Sequence, residues 1–222
     1  MNLPATLFTS DWLWLFDLLF AGFLYRALKF ADWRYLLDNQ IMTNALVGLV
    51  IGAFVFWQFN AGIRPGFNFH ILGATLFVLM FGWQIASATL TLVMLASFYR
   101  ADTDWIALGI NGLLMIAIPV LFTEWLLRFS QRNLPKNLFF YVLWNGFVCA
   151  GLAIVLNVAT TTILLLLLSH YSWAEVQRHY LVAAPIIVLT EAFMTGMLIT
   201  AFTVFQPEAV KSFSDAEYLD GK

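Results

Sequence analysis

Between residues 138 and 169 the chain carries no Asp, Glu, Lys, Arg or His. Hydrocarbon offers no partner to a free N–H or C=O, so such a run is stable in lipid only as a helix that satisfies its own backbone. A single crossing needs about 20 apolar residues. This run is longer, which predicts tilt or ends outside the membrane. The rest of the chain repeats the pattern. Hydrophobic residues make up 62% and charged residues 11% of the sequence, against about 45–50% and about 25% in soluble domains. These values exclude a soluble enzyme, a disordered tail and a nucleic-acid-binding domain. The 222 residues have room for six or seven spans and for no further soluble domain of ~100 residues. The expected fold is all-α: one polytopic integral membrane helical bundle over residues 1–222, embedded in the lipid bilayer.

Seven segments follow from the hydropathy. The first covers 11–29, with a polar, interfacial stretch at 31–40. The second covers 41–59 and ends in a Gly/Pro-bearing loop at 60–66. The third and fourth lie within 69–99, with a break at Phe81-Gly82-Trp83. The fifth covers 105–128, the sixth 138–169 and the seventh 173–205, and a short polar tail occupies 206–222. With the N-terminus outside and all seven crossing, Arg26, Lys29, Arg34, Arg128, Arg132, Lys136, Lys211 and Lys222 are cytoplasmic, whereas Arg64, Arg100 and Arg178 are outside. That is the positive-inside bias. A single span over 69–99 would move Arg128, Arg132 and Lys136 outside and even the count, so the bias also argues for the break. The C-terminus is then cytoplasmic. The first basic residue is Arg26, so the N-terminus lacks the basic region of a cleavable signal peptide and the first segment is expected to be retained.

Cys149 is the single cysteine, which excludes an intrachain disulfide and a cysteine-based metal cluster. The chain has no Walker A motif, no Gly-rich dinucleotide loop and no His-Glu-x-x-His helix, so no enzyme and no organic cofactor is expected. If the protein transports, the energy comes from a gradient or a partner.

In the orientation above, His70, His170 and His179 all fall at outer ends of segments, together with Asp11, Asp102, Asp104, Glu175 and the Met1 amine. Imidazole, carboxylate and amine at the mouth of a bundle suit a divalent transition metal. Interfacial His and Asp are equally ordinary membrane-surface residues. His70 differs because it follows a Gly/Pro loop and opens an apolar run, where irregular backbone can line a site. Asp17, Glu124 and Glu191 lie within spans, where ionisable groups are costly and face the bundle interior. Glu124 stands four residues before Arg128, the spacing of a helical ion pair. Asp17 has no local partner. Glu191 reads either as a structural hydrogen-bonder to a neighbouring helix or as a proton carrier. Asn111, Asn145 and Asn157 are expected to join helices through hydrogen bonds. The nine Trp, seven Tyr and 22 Phe read as lipid-facing bulk and interfacial belts.

The run Gly66-Phe67-Asn68-Phe69-His70-Ile71-Leu72-Gly73-Ala74 resembles the Gly-x-x-x-His-hydrophobic-Leu-Gly-Ala signature of the CbiM/NikM-type cobalt/nickel substrate-binding membrane proteins. These are the substrate-specific components of energy-coupling factor (ECF) transporters. Leu79-Met80-Phe81-Gly82-Trp83, Ala107-Leu108-Gly109-Ile110-Asn111-Gly112, Thr190-Glu191-Ala192-Phe193-Met194-Thr195-Gly196 and Gln206-Pro207-Glu208 are similar to further motifs of that family, in the same order.

The resemblance implies metal binding at the extracytoplasmic face of a bacterial cytoplasmic membrane. The terminal amine, the backbone nitrogen and side chain of a second-position histidine, and the histidine of the Gly-x-x-x-His motif are the family's ligands. In this chain they fall on Met1, Asn2 and His70. A site rich in nitrogen suits Ni²⁺ or Co²⁺, with Cu²⁺ less expected, and disfavours Mg²⁺ and Ca²⁺. The implied partners are a membrane coupling protein and two cytoplasmic ATPases. Asn2 stands where the family has histidine. The amine–amide chelate does not need that side chain, but a further ligand would come from His170, His179 or Asp11. The alternative is a membrane scaffold or assembly protein that keeps the fold and has lost the metal site.

Overall fold

Gly82 cuts the 69–99 run in two. Its φ of +81° is strained for any residue with a Cβ, so one helix stops at Phe81 and the next begins at Trp83. The structure, a computed structural model, describes residues 3–59, 61–62, 66–101 and 104–219. Its elements are α1 (Ser10–Phe30), α2 (Trp33–Asp38), α3 (Gln40–Gln58), β1 (Ala61–Gly62), β2 (Asn68–Phe69), α4 (Ala74–Phe81) and α5 (Trp83–Ala101). They continue with α6 (Trp105–Asn133), α7 (Leu138–Leu168), α8 (Trp173–His179), α9 (Ala184–Phe205) and α10 (Asp215–Tyr218). Among the described residues the fold is all-α apart from one hairpin of two-residue strands, which pairs Gly62 with Asn68 and Ala61 with Phe69.

Local chemistry sets the boundaries. The Asp32 and Asn39 side chains accept hydrogen bonds from Tyr35 N and Met42 N, at 3.1 and 3.0 Å, and so cap α2 and α3. These caps turn the polar 31–40 stretch into a short helix and a fresh start. Ser172 and Glu175 form a complete capping box on α8, satisfying two of the free N–H groups at that helix start. In α6 a π-helical turn, Leu113–Ala117, comes just ahead of Pro119. A proline inside a helix removes one N–H and crowds the preceding turn, and a wider turn there relieves the crowding.

Among the described residues, four helical stretches are long and apolar enough to cross a membrane: Gln40–Gln58, Trp105–Asn133, Leu138–Leu168 and Trp173–Phe205, the last made by α8 and α9 together. The other three expected segments differ for physical reasons. Helix α1 has 21 residues and α5 has 19, long enough to cross, but α1 carries Asp11, Asp17, Arg26 and Lys29 and α5 is rich in Ser and Thr. Helix α4 has eight residues, about 12 Å of helix, and every one of them is buried. It is a core helix, enclosed by α5, α6, α7 and α9. Around it the bundle exposes large apolar side chains, among them Trp14, Leu18, Leu167, Ile186 and Phe205. A soluble monomer does not present such a surface; it is the surface of a multi-pass membrane protein.

The tail is more than a solvated end. The last carbonyls of a helix have no partner within it, and burial makes that costly for α4. Lys211 N and Ser212 N donate to Met80 O and Leu79 O at 3.0 and 3.1 Å, and Ser212 Oγ donates to Leu79 O at 2.7 Å. Phe213 and Tyr218 pack against Tyr141 of α7, and Lys136 pairs with Glu217 at 3.1 Å. The polar tail expected beyond residue 205 is thus folded back, because Val210, Phe213 and Tyr218 are buried.

Helices α1 and α6 touch at Gly109. Its N–H donates to Asp17 Oδ1 at 2.7 Å, which gives the half-buried carboxylate the start of a helix as its partner. A methyl group on Gly109 would overlap the Asp17 backbone. Gly109→Ala is therefore expected to cost about 1–3 kcal/mol through overpacking, read as a lowered melting temperature in detergent.

Candidate functional site

Strand β2 and the residues beside it lead from the hairpin to the turn at Gly73, and along a strand side chains alternate between two faces. Phe67 and Phe69 share one face and pack into rings of the α7–α9 region. Phe69 stacks on Tyr180 with centroids 4.6 Å apart, and Phe67 meets Tyr171 at 4.5 Å and His179 at 6.3 Å. His70 takes the other side and lies against Trp57 of α3, with ring centroids 5.0 Å apart. It is 7% exposed.

The backbone behind His70 is pinned from two sides. Trp57 Nε1 donates to Leu72 O at 3.3 Å. The Glu191 carboxylate of α9 accepts from Leu72 N at 2.8 Å and from Gly73 N at 2.7 Å. Gly73 has a φ of +71° and stands at the N-cap of α4, a turn that a non-glycine residue would strain. The carboxylate thus holds the turn between His70 and α4. His70 Nδ1 lies 3.3 Å from Ile71 O. With its proton on Nδ1 and that carbonyl as acceptor, the ring presents Nε2 as a free lone pair, the usual arrangement of a metal-binding imidazole.

A cavity of about 80 Å³ opens beside the ring, lined by Trp57, Gln58, Met94, Arg100 and Met115 among others. Organic ligands occupy pockets of roughly 300–1,000 Å³; this one suits an ion. Arg100 Nη1 donates to Gln58 Oε1 at 2.7 Å, closing α5 against α3 at the mouth.

The beginning of the chain reaches the same region. Asn111 of α6 is fully buried. Its Oδ1 accepts from Leu3 N at 2.7 Å, and its Nδ2 donates to Leu3 O at 2.9 Å and Ala107 O at 2.8 Å. Leu3 also packs at Gly66, where an added Cβ would lie 3.2 Å from its side chain. Met115, one turn beyond Asn111, lines the His70 cavity.

Met1 and Asn2 lie outside the described residues. Asp11 and His170 are exposed, and His179 faces the Phe67 ring. Among the described residues no three His, Cys, Asp or Glu gather in a group able to hold a metal. Glu124 pairs with Arg128 at 2.8 Å. Asn157 donates across to Leu114 O. Asn145 departs from its expected role: among the described residues neither its amide nitrogen nor its oxygen meets a partner, and α7 and α9 touch beside it through the close pair Gly146 and Gly196. Sequence reasoning also missed Trp57, assigned with the other aromatics to lipid, and the two methionines, which come from different helices. The one local signal was Trp57's position just before the loop that carries His70.

Residues 2–209 match the CbiM family, described as a cobalt uptake substrate-specific transmembrane region. Two solved structures share the fold. The crystal structure of a truncated transition metal transporter is 21% identical with a TM-score of 0.72, covering 92% of this chain and 99% of its own. The crystal structure of a transition metal transporter is 22% identical with a TM-score of 0.71, covering 92% of this chain and 93% of its own. No curated protein matches the sequence. A family match over nearly the whole chain, on a bundle of this form, settles the assignment: the chain belongs to the CbiM family of transmembrane transition-metal uptake components and is not an enzyme.

Proposed function

We propose that this chain is the substrate-binding membrane component of an energy-coupling factor transporter, taking up Ni²⁺ or Co²⁺ and, less readily, Cu²⁺. In this reading seven segments cross a bacterial cytoplasmic membrane with the N-terminus outside, and α4 with its extended lead-in serves as the third. The ligands are the Met1 amine, the Asn2 backbone nitrogen and His70 Nε2. The amine and the adjacent backbone nitrogen close a five-membered chelate whatever side chain residue 2 carries. Nitrogen donors favour late transition metals over Mg²⁺ and Ca²⁺. His170, His179 and Asp11 remain the protein groups considered for a further position. The chain lacks any nucleotide-binding motif, so a membrane coupling protein and two cytoplasmic ATPases would drive release.

The observation that carries the reading is the tether of Leu3 to Asn111. It brings the start of the chain to the helix turn whose Met115 shares a cavity with His70. Isothermal titration of the purified protein with Ni²⁺, Co²⁺ and Cu²⁺ tests it. Two variants accompany the native chain: His70→Ala, and a chain with two residues added ahead of Met1. Both are expected to lose binding while melting at the native temperature within a few degrees. Binding that survives both changes would overturn the site. Absence of binding in the native chain would favour the scaffold reading instead.

A further inference from the structure

A second cavity, of about 430 Å³, lies between α1, α5 and α6 at the far end of the bundle from His70. It is lined by Phe23, Arg26, Trp83, Leu121, Glu124, Trp125 and Arg128. Its floor is apolar: Phe23 and Trp83 pack with centroids 6.2 Å apart, and Leu121 and Trp125 are exposed along one wall. Its rim is basic. Among the described residues Arg26 pairs with no carboxylate. Arg128 gives its Nε to Glu124 at 2.8 Å, which keeps its two terminal amines for another acceptor. Arg26, Glu124 and Arg128 are the ionisable groups lining the groove, so its formal charge is +1.

Depth in the membrane decides what such a groove meets. Arg26 stands four residues before the end of α1 and Arg128 five before the end of α6. At 1.5 Å per residue both lie about 6–8 Å from a helix terminus, the level of lipid headgroups. Trp83 opens α5 at that end of the bundle and Trp125 lies about one turn deeper than Arg128, within the belt where indole rings anchor proteins. An apolar floor open to the hydrocarbon, under a rim with one uncompensated positive charge, complements a glycerophospholipid with a net charge of −1. Basic pockets between transmembrane helices are a recurring way of holding anionic headgroups.

We propose that this groove binds one anionic glycerophospholipid. Its phosphodiester is held by the Arg26 guanidinium and the free amines of Arg128, and its glycerol esters and first methylenes lie over Phe23, Trp83 and Leu121. The site is independent of the metal reading, since it shares no residue with the His70 cavity.

The test uses full-length protein stripped of lipid in a neutral detergent. Phosphatidylglycerol, phosphatidylcholine and inorganic phosphate are titrated separately, with retained lipid counted by native mass spectrometry and melting followed in parallel. Phosphatidylglycerol is expected to bind about tenfold more tightly than phosphatidylcholine, the scale of one hydrogen bond to a charged group, and to raise the melting temperature. Inorganic phosphate is expected to do neither. Arg26→Gln, an exposed side chain with no partner to lose, should bring the two lipids to equal affinity. Arg34→Gln, a basic residue outside the groove, should leave the preference intact. Equal affinity for both lipids in the native chain, a preference that survives Arg26→Gln, or a stabilisation reproduced by inorganic phosphate would each overturn the proposal.

Discussion

Glu191→Ala is expected to weaken metal binding by more than about 100-fold, although Glu191 is not proposed as a ligand. Its carboxylate is 2% exposed and accepts two backbone N–H groups, from Leu72 at 2.8 Å and Gly73 at 2.7 Å. Hydrogen bonds to a charged group contribute about 1.5–3 kcal/mol each, and leaving a buried donor unmet adds to the loss. Removing the side chain strands both donors away from water. The cost, about 3–6 kcal/mol for the two bonds, falls on the two residues between His70 and α4. The turn then reopens to find other acceptors, and His70 leaves its place against Trp57. A cost of about 3 kcal/mol for re-forming the site corresponds to about 150-fold in affinity. Glu191→Gln keeps one acceptor but turns an NH₂ group toward the second N–H, so an intermediate loss is expected. Titration with Ni²⁺ or Co²⁺ beside a thermal melt reads both quantities. Native affinity in Glu191→Ala would show that His70 holds its position without the carboxylate.

The presence of this clamp is legible in the sequence, and its partner is not. A carboxylate in the middle of an apolar run must be satisfied internally, which is enough to single out Glu191 and Asp17. Their acceptor roles run to backbone N–H groups, Leu72 and Gly73 for one and Gly109 for the other. Every residue but proline has such a group, so side-chain identity does not mark the partner. Hydropathy has the same limit at α4. Ala74–Phe81 is as apolar as any span, yet it is eight residues long and wholly enclosed. Its length is set by Gly73 and Gly82, whose positive φ values bracket it. The charge balance across the membrane points to the second of these breaks, but a hydropathy scale cannot tell a helix surrounded by protein from one surrounded by lipid. Trp57 is misread for that reason: it is 4% exposed, with its ring on His70. The folded-back tail escapes notice because its buried residues, Val210, Phe213 and Tyr218, are too few and too scattered to register as a segment. Long-range convergence is least legible. Met94 and Met115 reach one cavity from α5 and α6, a contact set by helix packing rather than by sequence spacing.

Asn111→Leu separates a role in holding the chain's start from a role in holding the bundle. Leucine nearly conserves the volume but offers no amide. Leu3 then loses both backbone partners, at 2.7 and 2.9 Å, in a position with no solvent access. Two neutral hydrogen bonds contribute about 1–3 kcal/mol together, and stranding the buried Leu3 N–H brings the cost to the upper part of that range. If the residues ahead of Leu3 supply metal ligands, much of that loss emerges as metal affinity, because an untethered segment must be ordered again when the ion binds. The expected weakening is about 30- to 150-fold. Asn157→Leu is the matched control. Asn157 is equally buried and donates to Leu114 O across the α6–α7 contact, and among the described residues that bond leads neither to Leu3 nor to His70. Its loss should lower the melting temperature and leave metal affinity within about threefold, less than the contribution of one hydrogen bond. Parallel losses of affinity in the two variants would mean that Asn111 acts on the metal only through general stability, and the Leu3 tether would then have no specific part in binding.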